Sequence, residues 1–303
     1  MPLLLRSLLG GRQWLQLFKK LNRLEISIGV IGFGRMAKAI ISPLLERGEY
    51  DSENVFGVVG SPSSIPSALA DIPKGVRVVS SDDDLCREVW NAPINLLAIK
   101  PQQFGQIKEF VSSSQSNNQS PKPLLISVLA GITLKSLQNA FPGHTCVRAV
   151  PNTPSLVGEG LTGLAWCDDI TSDQKILVRK IFEPISEIIE LPERQLDSFL
   201  ALTSSGPAYI ALVVEAMADG AVAAGLPRNL SNQLAHKTLS GTASLLREKC
   251  LHPAELKDMV ASPAGTTISA LRHLELAGLR SALIEAVVLA AQKSRQLSEE
   301  IEN

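Results

Sequence analysis

Short apolar runs alternate with longer amphipathic stretches through the first two thirds of the chain. Six such runs are rich in β-branched residues: Ile26–Ile31, Asn54–Val59, Val76–Val79, Ile94–Ile99, Leu124–Leu129 and Cys146–Val150. The stretches between them are long enough to form helices. Strands that alternate with helical crossovers are typical of a parallel sheet with helices on its faces. The pattern therefore predicts an α/β domain over residues 25–191.

Beyond residue 191 the strand pattern ends, and helical periodicity predicts an all-helical domain over residues 192–303. Ser204–Pro207 offers a cap and a first-turn proline, and the run that follows, Ala208–Ala224, is apolar on nearly all sides. Such a helix is too apolar for a surface. Because Glu215 and Asp219 argue against a membrane, we expect a subunit interface to bury it.

Two segments lie outside these patterns. Residues 1–24 contain five Lys or Arg residues and no acidic residue, and Arg6 interrupts the apolar stretch that a secretory signal would need. Both an organelle-targeting sequence and a dispensable extension fit this composition. Ser112–Pro123 is polar and flanked by prolines, which predicts a surface loop.

Composition narrows the classes of partner. The 303 residues suffice for two domains, and 29 basic against 30 acidic side chains give no excess of positive charge for a nucleic acid.

The four cysteines form no CxxC pair and the four histidines lack metal-ligand spacing, so we predict neither a disulfide framework nor a metal site. No uncharged run of 18 apolar residues occurs, so no membrane span is expected. A small-molecule partner and a reducing, cytoplasmic location fit best.

A glycine-rich turn follows the first predicted strand and opens a helix. Gly32, Gly34 and Ala37 form the pattern GxGxxA, which in a strand–turn–helix context predicts a dinucleotide site. Gly32 permits the tight turn, Gly34 lets the backbone approach a pyrophosphate, and Ala37 allows close packing of helix on strand. The amino end of the helix adds free N–H groups and a partial positive charge.

The second predicted strand ends at Val59 and continues into Ser61 and Ser63, with no acidic residue there. A site selective for NAD usually places a carboxylate at this point to bind the ribose 2′-hydroxyl. Its absence favours NADPH, with NADH as the alternative because no arginine or lysine stands beside the serines. Lys100 closes the fourth strand, where a nicotinamide would lie, and a solvated turn residue is the alternative interpretation of this lysine.

The most informative segment of the helical part is Leu256–Leu271. Ser262 and Pro263 lead through Ala-Gly-Thr-Thr into a helix. Such a turn directs free N–H groups and two hydroxyls to one place, which suits a small carboxylate. A well-capped helix without a ligand is the alternative interpretation of this segment.

With these motifs the chain resembles the pyrroline-5-carboxylate reductases, the last enzymes of proline synthesis. The matching segments occur in family order over residues 26 to about 297: Ile31–Ala37, Lys100–Pro101, Leu129–Ile132, Pro151–Pro154, Ser205–Tyr209, Ala218–Gly220, Gly225–Pro227 and Leu256–Leu271. The resemblance implies a Rossmann domain followed by a helical dimerisation domain whose helices interleave between two subunits, with the active site formed between the subunits. It also implies a homodimer assembled into a larger homo-oligomer, often a decamer.

The resemblance further assigns roles to residues. It implies that Thr267 contacts the ring nitrogen of the substrate as the catalytic residue, and that Gly265 and Thr266 hold the substrate carboxylate. It implies that the coenzyme lies on a set of residues that comprises Gly32, Phe33, Gly34, Arg35, Met36, Ser61, Ala98, Lys100 and Ala130. The reaction would reduce the C=N bond of 1-pyrroline-5-carboxylate to give L-proline.

Four positions depart from the family pattern. Asp82 replaces an asparagine common near the adenosine phosphate, where a carboxylate would repel a 2′-phosphate. Met259 replaces an asparagine found in some members, and Ala264 and Ser204 each replace a glycine. None lies on the expected path of the hydride, so we interpret them as tuning. Five- and six-membered cyclic imines are not distinguished by the sequence, since one methylene changes binding by only about 1 to 3 kcal/mol.

Two other functions compete with the reductase. The 3-hydroxyacid dehydrogenases have a similar layout, but they need a catalytic lysine followed four residues later by asparagine. No lysine occurs between Pro207 and Gly225. Four residues after Lys237 stands Gly241, where the dehydrogenases need an asparagine. A nucleotide-sensing protein could share the fold without the chemistry. The intact turn from Ser262 to Thr267 argues against it.

Overall fold

The computed structural model of the chain describes residues 26–107 and 122–302. The chain divides into two compact units: one extends to Leu200 and takes up the chain again from Lys293, and the other is Ala201–Gln292. The boundary expected after residue 191 therefore falls inside the first unit. The basic extension over residues 1–24 lies outside the described residues, as does most of the loop expected over Ser112–Pro123.

The first unit is built on one eight-stranded sheet. Its strands are β1 Ile28–Ile31, β2 Val55–Val59, β3 Arg77–Ser80, β4 Ile94–Leu97, β5 Leu124–Ser127, β6 Thr145–Val150, β7 Gly160–Trp166 and β8 Ser186–Glu190. Their order across the sheet is β3-β2-β1-β4-β5-β6-β7-β8. The order reverses between β1 and β4, which is where open α/β sheets bind their ligands.

The six strands expected from the apolar runs are all present and mutually parallel. All residues of β1, β4, β5 and β6 are buried, as expected for strands covered on both faces. The sequence analysis did not identify β7 and β8. β7 pairs antiparallel with β6, so the sheet is mixed rather than wholly parallel. Two glycines in β7 and two glutamates in β8 weaken the apolar signal of both strands.

Among the elements whose bounds the structure describes, the helices that belong wholly or largely to this unit are α1 Arg35–Glu46, α2 Ile65–Leu69, α3 Leu134–Ala140, α4 Ser172–Phe182 and α5 Leu196–Thr203. α1 buries Ala37, Ile40, Ile41 and Leu44 against the sheet, which is the face that a 3.6-residue period predicts. Its packing fixes the direction in which the amino end of α1 points, directly after the glycine-rich turn.

The second unit contains only helices, as predicted: α6 Gly206–Ala223, α7 Arg228–Glu248, α8 Pro253–Val260, α9 Thr266–Leu276 and most of α10 Leu279–Glu302. Its buried apolar cluster consists of Val214, Ala218 and Ala235. Large apolar side chains elsewhere in the unit are exposed, with Leu212 67% and Leu276 76% accessible. An apolar surface of this extent marks an interaction site.

The stretch Glu193–Ala223, which includes α5 and α6, has the length and the apolar composition to cross a membrane. Of its 18 most apolar consecutive residues, 17% are buried in the chain. It is the one such stretch among the described residues. The sequence analysis expected a subunit interface to cover this helix, and its exposed Ile210, Leu212 and Met217 show that a single chain leaves it uncovered.

Candidate active site

The turn after β1 has the geometry that the GxGxxA pattern predicts. Gly32 adopts a φ of +87°, and a Cβ atom there would lie 2.8 Å from the backbone carbonyl of Ala98. Its N–H donates to the Val58 carbonyl oxygen over 2.9 Å. The turn is therefore clamped between β2 and β4, and any residue other than glycine at this position would be strained and would clash.

Gly34 is needed for a different reason. It is the N-cap residue of α1 and makes no side-chain capping bond, and a Cβ added to it would meet no atom within 4 Å. A side chain at this position would fill the open space in front of the helix amino end. Free N–H groups and the positive end of the helix dipole face that space, so the turn fits the pyrophosphate of a dinucleotide.

A cavity of about 600 Å³ opens above the carboxyl ends of β1, β2 and β4. Five of the residues expected to hold the coenzyme line it: Gly32, Phe33, Gly34, Ala98 and Lys100. They come from the turns after β1 and β4, which are adjacent in the sheet and 66 residues apart in sequence, from Gly34 to Lys100. The structure therefore brings these residues together at the point where the strand order reverses.

Four other expected coenzyme residues do not line this cavity. Arg35 is exposed at the first turn of α1, and Met36 packs against the main apolar core. Ser61 directs its hydroxyl to Ser63 and Ser64, 2.9 and 3.0 Å away. Ala130, half-buried, follows β5. Their contacts with a coenzyme stay predictions.

Several cavity residues were not anticipated. Ser64 and Ser67 line it from the segment after β2, and Ser81 lines it from the end of β3. Trp90 and Val89 contribute from a 3₁₀ segment over Asp84–Asn91. The four serines between positions 61 and 67 were a usable signal, but only the geometry shows which hydroxyls reach the cavity.

Asp82 is exposed and follows Ser81, and it does not line the cavity. Ser81 Oγ donates to the Gly60 carbonyl oxygen over 3.1 Å, which ties the end of β3 to the end of β2. The carboxylate suspected of repelling a 2′-phosphate thus lies next to this part of the cavity but not in its wall.

The substrate turn lies in the second unit. Gly265 is the N-cap of α9 and makes no side-chain capping bond, and Thr267 is half-buried in the first turn. A Cβ on Gly265 would lie 2.3 Å from Ser262 Oγ. The cap is thus this glycine rather than Ser262. First-turn N–H groups have no acceptor within their own helix, so those of Thr266 and Thr267 are available to an anion.

Ala264 precedes this cap with a φ of +54°. The left-handed region is costly for residues with a Cβ, which explains physically why glycine is common here in the family that the chain resembles. The alanine keeps the turn but adds backbone strain.

The titratable groups whose pKa values are shifted most lie outside the cavity wall and outside the turn before α9. Burial lowers the pKa of His144 to about 4 and raises the pKa of Cys146 to about 12. Neither residue lines the cavity. Within the described ranges, no three His, Cys, Asp or Glu side chains are grouped so that they could hold a metal ion. The groups that the site provides for binding are therefore mainly hydroxyls and backbone N–H groups, in a cavity of defined shape.

Each of the two units matches a known family model of its own. Residues 27–131 match the family model described as NADP oxidoreductase coenzyme F420-dependent. Residues 193–297 match the model described as pyrroline-5-carboxylate reductase dimerisation. The second match covers the helices whose apolar faces are exposed in the single chain.

Relatives that align with this chain over nearly their full length are pyrroline-5-carboxylate reductases. Pyrroline-5-carboxylate reductase from Synechocystis is 40% identical over 274 residues, which is 90% of this chain and 99% of the relative. The reductase from Escherichia coli is 35% identical over 91% of this chain and 99% of its own length.

Among solved structures, the Plasmodium falciparum enzyme with NADP bound superposes with a TM-score of 0.78 at 28% identity, and covers 91% of this chain and 99% of that one. The Coxiella burnetii enzyme gives 0.77 at 31% identity over 91% and 99% of the two chains. The fold, the glycine-rich turn and these relatives together place the chain in the pyrroline-5-carboxylate reductase family.

Proposed function

We propose that this protein reduces the C=N bond of 1-pyrroline-5-carboxylate to give L-proline, with NADPH as hydride donor and NADH as the alternative coenzyme. The observation that carries the proposal is the open space at Gly34, in front of α1 and at the floor of a cavity large enough for a dinucleotide. The match of the helical unit to the family's dimerisation model supports the same function.

The coenzyme supplies the hydride when it is bound. The chain's own contribution is placement: Gly32 and Gly34 leave room for the pyrophosphate, while Ala98 and Lys100 border the end of the cavity nearest β4. A near-attack geometry can contribute about 7 to 11 kcal/mol to lowering a barrier. Positioning is thus a sufficient source of rate in a site with few titratable groups.

The substrate-binding role falls to the turn before α9. The N–H groups of Thr266 and Thr267 would hold the carboxylate of the imine, aided by the positive end of the helix, and Gly265 as the N-cap would leave room for it. The Gly265 N–H itself donates to the Ser262 carbonyl oxygen over 3.0 Å. The Thr267 hydroxyl would donate a hydrogen bond to the ring nitrogen. Because an aliphatic hydroxyl is a weak acid and a cyclic imine is readily protonated, we assign Thr267 an orienting role first and a proton-donating role second.

In the decisive experiment, nicotinamide absorbance is recorded after the purified protein is mixed with pyrroline-5-carboxylate and either NADPH or NADH. Substrate-dependent oxidation is expected. Thr267→Ala should lower turnover, and Thr267→Ser, which keeps the hydroxyl, should restore much of it. No oxidation by a folded, dimeric protein would overturn the proposal and favour a sensing role.

The assembly we propose is a homodimer formed through the exposed apolar helix faces of the second unit and built into a larger homo-oligomer. Ile210, Leu212 and Met217 on α6 are 45 to 67% accessible in one chain, which a soluble protein rarely tolerates over so long a helix. Equilibrium sedimentation at micromolar concentration should show no monomer. A stable monomer would contradict the proposal.

We propose a cytoplasmic location, because Cys86, Cys146 and Cys167 are buried and unpaired, as in a reducing compartment. Residues 1–24 keep organelle targeting as the alternative. A fluorescent fusion of the chain with and without these residues tests this, since targeting would be lost on their removal.

A further inference from the structure

Serines contribute to the part of the cavity wall after β2, beside Gly60 and Ala68. Ser64 and Ser67 line the cavity there, and Ser81 faces it from β3. Among the described residues that line the cavity, Lys100 is the one charged side chain, and it stands after β4 rather than after β2. The wall after β2 thus has neither the carboxylate of an NAD-selective site nor a cation of its own.

Lys38 supplies a cation just behind this wall. It lies on α1, one turn after Gly34, and its Nζ donates to the carbonyl oxygens of Ser67 and Ala70 over 2.5 and 2.7 Å. Ser67 lies in the middle of the short helix α2, and Ala70 is the C-cap of that helix. The two bonds join α1 to a segment about 30 residues later in the chain.

The charge of Lys38 is not neutralised by these contacts. Both acceptors are neutral carbonyl groups, and no carboxylate pairs with Lys38 within the part of the chain that the structure describes. An unneutralised ammonium beside hydroxyl donors favours an anion, whereas a ribose hydroxyl gains little from it. The exposed Asp82 acts in the opposite direction from the end of β3.

We propose that Lys38 is a positioning residue that sets the preference of the site for the 2′-phosphate of NADPH. By holding the Ser67 and Ala70 carbonyls, it fixes the backbone that carries Ser64 and Ser67 in the cavity wall, and it adds a positive charge behind that wall. The inference deepens the proposed function, because it rests on coenzyme binding in this cavity. It concerns binding selectivity and no chemical step.

The test measures coenzyme binding without the imine substrate. Trp90 lines the cavity, so quenching of tryptophan fluorescence on addition of NADPH or NADH gives a dissociation constant for each. Adenosine 2′,5′-bisphosphate and AMP serve as probes that differ only in the 2′-phosphate. Lys38→Met removes the ammonium, Lys38→Arg keeps a charged donor, and Lys74→Met alters an exposed lysine outside the cavity wall as a control.

The unaltered protein is expected to bind NADPH more tightly than NADH. In Lys38→Met the dissociation constant for NADPH should rise about tenfold and that for NADH less than about twofold, since only NADPH carries a 2′-phosphate that the charge behind the wall attracts. Lys38→Arg should stay within about threefold of the original values, and Lys74→Met should change neither.

Equal weakening of both coenzymes in Lys38→Met would show a merely structural role and overturn the inference, as would an unaltered protein with no preference. Should Lys38→Met fail to fold, Ser64→Ala and Ser67→Ala test the same wall, and the inference fails if they do not weaken NADPH selectively. Selective coenzyme binding without turnover of pyrroline-5-carboxylate would instead overturn the proposed function and leave this inference standing.

Discussion

The buried histidine His144 should make the stability of the protein fall between neutral and mildly acidic pH. Its ring is 4% exposed, its Nε2 lies 2.9 Å from Asn95 Oδ1, and it packs edge-on against Trp90 and Phe141. The Asn95 amide already donates to the Val89 carbonyl oxygen, so its Oδ1 accepts from His144. The ring thus donates through Nε2, and because it is buried beside aromatic rings, its neutral form is the one that fits the folded protein.

The magnitude follows from the two pKa values of this histidine. Burial lowers the pKa of His144 to about 4 in the folded protein, against about 6.5 in an unfolded chain. As pH falls below about 6.5 the unfolded state takes up a proton that the folded state does not, so stability is lost until about pH 4. The total is about 3 kcal/mol, of which about 2 kcal/mol is lost between pH 7 and pH 5.

The assay compares denaturant unfolding near pH 7 and near pH 5 at one fixed protein concentration, because an oligomer's stability depends on concentration. His144→Gln keeps a donor towards Asn95 but does not titrate, so about 2 kcal/mol of the acid sensitivity should disappear. His273→Gln, at an exposed histidine of α9, should leave that sensitivity unchanged. If His144→Gln loses as much stability on acidification as the unaltered protein, the reasoning is refuted.

Three further predictions test other features of the structure. Arg148 is 2% exposed and paired with Glu193 over 3.3 Å and with Asp197 over 3.4 Å, so replacing both carboxylates by alanine should lower the free energy of unfolding by about 3 kcal/mol in a melt, and a loss below about 1 kcal/mol would contradict a buried ion-pair network. Ala264→Gly should relieve the positive φ and raise the free energy of unfolding by up to about 1 kcal/mol, whereas a lower melting temperature would speak against strain. A thiol reagent should label Cys250 alone in the native protein and all four cysteines in denaturant, because burial raises the pKa of the Cys146 and Cys167 thiols to about 12 and about 11; fast labelling of more than one thiol per native chain would contradict this.

The helical unit needs a partner because α6 leaves large apolar side chains exposed and because the buried apolar cluster of the unit is small, with Val214, Ala218 and Ala235. A unit with so little buried apolar area cannot offset the conformational entropy lost on folding. The sequence already indicated this through a helix without a polar side. The structure adds that the other helices of the unit are exposed in the same way, as Leu276 and Met259 show.

The local patterns of the sequence determined much of this protein. The first six strands follow from runs of apolar residues, and the run is clearest in β1, β4, β5 and β6, because a strand buried on both faces has no polar side. The glycine-rich turn follows from its own spacing, since Gly32 and Gly34 are required by backbone geometry that only a few residues set. The helical character of the second unit follows from periodicity in the same local way.

Only the tertiary structure decided features that depend on residues far apart in the chain. The antiparallel insertion of β7 beside β6 depends on pairing between strands, which no single run specifies. The cavity wall depends on which side of a turn faces the sheet edge, so Ser64 and Ser67 line it while Ser61 bonds to its neighbours. The contact of Lys38 with Ser67 arises because packing of α1 on the sheet brings together groups that the chain separates by about 30 residues.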